Sequence, residues 1–114
     1  MVEQRSGEKL ITQEDCNEDK IGSGYLTLTN QRLIFEKGEA RVATFTKKIT
    51  GVALDVPLNK IVSVRTEGWL VKKVAVEVSE PSGTKLYKFG VLGTGKWRDT
   101  INTAIKGHVA SSSM

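Results

Sequence analysis

The sequence predicts a small antiparallel β-barrel or sandwich of about seven strands, capped by one C-terminal α-helix. Three observations lead there. Apolar and polar residues alternate through most of the chain, the mark of strands with one buried face. Turn residues punctuate these runs at intervals of roughly 8–12 residues, the spacing of all-β sandwiches and barrels. Near the end the period changes, and Trp97, Ile101, Ala104 and Ile105 trace one face of a helix. At 114 residues, the chain has room for one domain with a single modest core.

Residues 1–7 read as a flexible start, 8–108 as the domain and 109–114 as a disordered tail. "EKLIT" forms a short first strand that ends in the acidic loop "QEDCNEDK". The next strand runs from Gly24 to Thr29, with Leu26 and Leu28 facing the core and Tyr25, Thr27 and Thr29 facing away. Asn30-Gln31 reverses the chain, since Asn tolerates the left-handed conformation that tight hairpins demand. "RLIFE" returns, so Leu33 and Phe35 join Leu26 and Leu28, and Arg32 is placed to brace the hairpin.

"EKGEARVATFTKKITG" is less regular. It reads as a strand around Arg41 to Thr46 or as a structured excursion, followed by Lys47-Lys48. Pro57 belongs at a strand start or an edge because it cannot donate to a ladder, and the strand after it carries Val62 and Val64 on one face. "EGW" turns, and "VKKVAVEVSE" alternates through Val74, Val76 and Val78. "PSG" turns again, and "TKLYKFGV" places Tyr87, Phe89 and Val91 together. The helix starts with Thr94 or Gly95 as its cap and ends at Gly107; Trp97 and Ile101 plug the open end of the barrel.

Composition narrows the function classes. Apolar residues make up 39% and charged residues 26%, an ordinary globular balance. No apolar run approaches the roughly 18 residues of a bilayer-spanning helix. "MVEQRSGEKL" lacks the apolar core of a signal peptide, and Cys16 has no second cysteine to pair with, so a cytoplasmic place of action is expected, with peripheral membrane attachment as an option. The net charge of +4 is uneven. Residues 1–20 hold six acids against three bases, leaving the remainder at +7. A basic body suits an anionic partner such as a lipid surface, nucleic acid or an acidic protein.

The segment "GYLTLTNQRLIF" resembles the second and third strands shared by the GRAM, GLUE and prokaryotic branches of the pleckstrin-homology-like superfamily. A glycine, alternating leucines and a Thr-Asn-x-Arg-Leu hairpin recur there, matched here by Gly24, Leu26, Leu28, Asn30, Arg32, Leu33 and Phe35. "VPLNKIVSV" looks like the following strand, "TKLYKF" like the penultimate one and "KWRDTINTAI", with Trp97 and Ile101, like the capping helix. The resemblance implies a binding module without catalysis or cofactor. Its functions would be protein interaction as an adaptor, with phosphoinositide-like lipid binding or homo-oligomerisation as the alternatives. The usual lipid site of such domains lies at the first inter-strand loop, where "QEDCNEDK" would repel a phosphorylated inositol.

Candidate contact residues for a partner or lipid are Trp69, Leu70, Lys47, Lys48, Lys72, Lys73 and Lys96. Trp69 is expected to fold over the barrel rim, with an exposed anchoring role as the alternative. "GVLGTGKW" comes close to a phosphate-binding loop, but Trp97 stands where a magnesium-holding Ser or Thr is needed. It therefore reads as a glycine-rich helix entry, with one phosphate held by free N–H groups and Lys96 as the weaker use. One cysteine and one histidine cannot build a structural zinc site, and His108 has no paired nucleophile. Cys16 lies among acids that raise its thiol pKa. The 6% aromatic content without interleaved basic residues argues against nucleic-acid readout.

Overall fold

The computed structural model describes residues 4–41 and 46–112, with side chains described over 4–38 and 51–108. Among them, seven strands form one antiparallel sheet: β1 (Leu10–Glu18), β2 (Gly22–Thr29), β3 (Arg32–Arg41), β4 (Thr46–Pro57), β5 (Ile61–Glu67), β6 (Lys73–Glu80) and β7 (Gly83–Gly90). A 3-10 turn, Leu58–Lys60, joins β4 to β5, and α1 (Thr94–Ser112) ends the chain. The strand order is β4-β3-β2-β1-β7-β6-β5. β1 and β7 share only two ladder positions, Asn17 opposite Gly90 and Glu18 opposite Phe89. At that narrow seam the sheet folds back on itself, bringing the rings of Phe35 on β3 and Phe89 on β7 to 5.5 Å.

The enclosed core follows from the alternation. Leu26, Leu28, Leu33 and Phe35 come from one half of the sheet, and Val74, Val76, Val78, Tyr87 and Phe89 from the other. Trp97 and Ile101 enter from α1, which packs on β5, β6 and the 3-10 turn. Each such burial contributes roughly 1.5–3 kcal/mol. Gly24 is required by proximity. A methyl there would drive into the Glu36 carbonyl and the Phe35 ring on β3. Tyr25, Thr27, Ile34 and Glu36, on the opposite face of the same hairpin, are buried as well, so alternation in β2 and β3 does not separate core from solvent.

Four expectations change, and a fifth falls outside the described residues. The acidic segment 13–20 is mostly strand: β1 continues through Glu18, and only residues 19–21 connect it to β2. Its period-2 spacing turns Glu14, Cys16 and Glu18 inward while Gln13, Asp15 and Asn17 face solvent. Val62 does not share a face with Val64. A register shift between Ile61 and Ser63 leaves Val62 57% exposed and gives its core position to Ile61. The helix passes Gly107 and remains helical through Ser112, beyond the expected end at 108, because a glycine inside a helix weakens it without breaking it. Residues 4–7 are tied down rather than free. Asn30 Nδ2 donates to the Gly7 carbonyl and Gln31 Nε2 to that of Ser6. The strand expected around 41–46 centres on residues 42–45, outside the described residues, between the end of β3 and the start of β4.

Candidate functional site

The β5–β6 connection is fixed at its base by the pair Glu67 opposite Lys73. Gly68 begins the turn with φ +110, a conformation that a side chain would strain, and a methyl there would also strike the Val71 carbonyl. The loop therefore projects Trp69, Leu70 and Val71 into solvent, with exposures of 89%, 85% and 70%. The barrel end where Trp69 was expected to settle is already filled by Trp97 and Ile101. Trp69 is exposed rather than folded over the rim.

A second connection meets this loop. Alternation in β7 sends Tyr87 and Phe89 inward with Val91 packed behind them, so Leu92 falls out of phase and stands 85% exposed. Val71, Lys72, Val91 and Leu92 line one depression of about 490 Å³ whose other wall is Glu14 and Asp15 on β1. Leu92 also borders a smaller cleft of about 200 Å³ with Ile11, Lys96 and Trp97. Leu92 thus meets Val71 and Lys72 in one depression and Lys96 in the other, with Trp69 and Leu70 preceding Val71 in the same loop; Val71 and Leu92 are two residues that sequence reasoning missed. The signals were an unbroken apolar triplet, Trp69-Leu70-Val71, inside a turn, and a leucine one step past a clean alternation.

Lys73 is drawn away from this surface into an ion pair with Asp19. Lys47 and Lys48 are part of β4, and their side chains lie outside the described residues. The glycines form the helix entry that the sequence suggested, whereas the acids near the site do not form the open loop expected of them. Gly93 takes a left-handed φ of 65°, α1 begins at Thr94, and Trp97 N donates to the Gly93 carbonyl. Leu92 N, just before that entry, already donates to Glu14 Oε2 at 2.6 Å, and Glu14 Oε1 accepts from Trp97 Nε1 at 3.2 Å. Glu18, 2% exposed, accepts from the backbone N–H groups of Lys20, Ile21 and Lys88. Two of the four carboxylates expected to repel a headgroup, Glu14 and Glu18, are therefore staples that hold β1 to β7 and α1 where the ladder stops.

A buried polar cluster sits among the N-terminal segment, the β2–β3 turn and β4. Arg32, 3% exposed, donates through Nε and Nη2 to both oxygens of Glu8 at 2.7 and 2.9 Å, and through Nη1 to Asp55 at 2.9 Å. Thr29 Oγ1 donates to Glu8 and accepts from the backbone of Gln31 and Arg32, closing the reversal. The Arg32 guanidinium holds the Glu8 carboxyl at a pKa of about 2 against the opposing effect of burial. Cys16 is pushed up to about 12, first by burial and then by Glu14 and Glu18, so its thiol is inert. No group of His, Cys, Asp and Glu suited to a metal ion occurs among the described residues.

The chain has the pleckstrin-homology-like fold. It is similar to the Vps36 N-terminal PH domain at 16% identity and a TM-score of 0.67, covering 94% of this chain and 86% of that one. It is also similar to the PH domain from TgAPH at 19% identity and a TM-score of 0.51, covering 87% and 82%. At such identities the likeness is one of fold. No protein-family model matches the chain, and no curated protein matches it. No helix among the described residues is long and apolar enough to cross a membrane.

Proposed function

We propose that the chain is a non-catalytic binding module that holds a protein partner on the apolar surface of Trp69, Leu70, Val71 and Leu92, acting in the cytoplasm. The observation that carries this reading is the exposure of those four side chains, each 70% or more, on two adjoining connections. Single exposed leucines are common and need no explanation; a cluster led by tryptophan is a different matter. Tryptophan is the residue most often found at the energetic centre of protein interfaces, because it buries a large area at little conformational cost.

Local charge favours a protein over an anionic bilayer. Lys72 and Lys96 stand near the apolar residues, but so do Glu14 and Asp15. A surface of mixed sign gains little from a uniformly negative plane and more from a partner with its own pattern of charge. Peripheral attachment to anionic lipid is the second reading, supported by an aromatic–aliphatic tip beside lysine on a body that carries +7 outside its first 20 residues.

The test compares the parent with a Trp69→Ala/Leu70→Ser double variant in two assays. One measures retention of a partner from native cytoplasmic extract; the other is cosedimentation with phosphatidylserine vesicles. The protein reading expects a stoichiometric partner that the double variant loses, and no vesicle pelleting at about 50 mM salt. Equal retention by both forms overturns it. Salt-sensitive pelleting that depends on Trp69 transfers the function to the lipid surface.

A further inference from the structure

A second surface meets the first only at Ile11, which borders both the cleft beside Leu92 and this one. Between α1, the N-terminal segment and the β2–β3 turn lies a groove of about 730 Å³, bordered by Arg5, Ile11, Pro57, Asn59, Ala104 and Gly107. Among the described residues its ionisable lining consists of Arg5 and His108, with no carboxylate. Asp55, which Arg5 approaches at 3.9 Å, is held more closely by Arg32 at 2.9 Å. Exposed Lys60 follows Asn59 in the chain and adds positive charge beside the groove.

The apolar part is equally defined. Ile11 is the extra residue of a bulge, since Leu10 lies opposite Thr29 and Thr12 opposite the adjacent Leu28. Its side chain stands out of the β1 ladder, 43% exposed. The helical wall facing it is low, formed by Ala104 and Gly107. Glycine inside a helix is less favourable than alanine. At Gly107 no close packing explains that cost, because an added methyl would meet nothing within 4 Å. The absent side chain leaves the groove open.

We propose that this groove binds an extended acidic peptide, with an apolar side chain seated on Ile11 and Ala104 and its carboxylates met by Arg5 and Lys60. The excess of positive charge sets the sign of the ligand. The low wall at Gly107 leaves room for an extended chain, and the apolar floor selects against a purely charged one.

The experiment uses fluorescence anisotropy at about 50 mM salt with a labelled heptapeptide carrying glutamates on both sides of a central leucine. Saturable binding is expected, weakened roughly tenfold by either Gly107→Phe or Arg5→Glu. Trp69→Ala should leave it unchanged, which separates this site from the proposed partner surface. Amide shifts on titration should centre on Ile11, Ala104 and Gly107. Absence of saturable binding, equal binding of a lysine-flanked peptide, or shifts centred on Val71 and Leu92 would overturn the proposal. Thermal melting checks that Gly107→Phe folds, and Arg5→Glu carries the same test if it does not.

Discussion

Two regions of this domain invert the usual placement of residues in opposite directions. At the β2–β3 turn, charged groups are buried: Glu8 and Arg32 are each 3% exposed, yet every described polar atom of the pair has a partner. At the β5–β6 loop, apolar groups are exposed, and nothing among the described residues covers Trp69, Leu70 or Val71. The first region resolves its anomaly inside the chain and so explains stability. The second does not resolve it, and an uncovered apolar cluster is the form that a binding surface takes. Substitutions should separate the two: large losses of stability with binding intact on one side, lost binding with stability intact on the other.

The largest effect is expected at Arg32. Removing one partner of a buried pair strands the other's charge, so Arg32→Ala should cost about 3–5 kcal/mol in chemical denaturation. A loss under about 1 kcal/mol would place the pair in the weak class of surface ion pairs and erase the contrast. Acid should act through the same pair. The Glu8 carboxyl is held near 2 against an ordinary value of 4.5, so its contribution is complete above about pH 4.5 and is lost as pH falls through 2. That contribution is about 3 kcal/mol. Titrating the Glu8 carboxyl carbon by NMR checks it directly, and a midpoint near 4.5 would show that the guanidinium does not hold it.

The two regions also differ in how far they could be read from the sequence. The hairpin was legible because alternation and turn chemistry are local: Leu26, Leu28, Leu33 and Phe35 occupy the core as their spacing requires. Arg32 was visible as a brace, but its partner Glu8 lies 24 residues away, and no local rule pairs them. The acidic run misled for a related reason. Read by composition it is a solvated loop; read by period it is a strand whose inward carboxylates find backbone N–H groups on β7 and beyond it. Composition carries no information about distant donors. Trp69 was read as rim because a barrel end needs filling, and that need had already been met from α1.

Glu18 offers an intermediate effect. It accepts from the backbone N–H groups of Lys20 and Ile21 in the β1–β2 connection and from Lys88 across the β1–β7 seam, where the ladder itself supplies only two positions. Glu18→Ala should cost about 2 kcal/mol, and amide hydrogen exchange should accelerate at Lys88 before it does in the β2–β3 ladder. Uniform acceleration across both would mean that the seam has no separate stability.

The smallest expected effect is the one on which the functional reading depends. Trp69 is 89% exposed, so Trp69→Ala removes almost no buried area and should shift stability by no more than about 0.5 kcal/mol. In a Trp97→Phe background the remaining indole should be quenched by iodide nearly as efficiently as free tryptophan, and saturation with the captured partner should protect it. A destabilisation of about 2 kcal/mol or more, the size expected for a packed side chain, would mean that the ring is seated on the domain in solution. Trp69 would then be one more structural residue, and the contrast between a region resolved within the chain and one completed by a partner would fall with it.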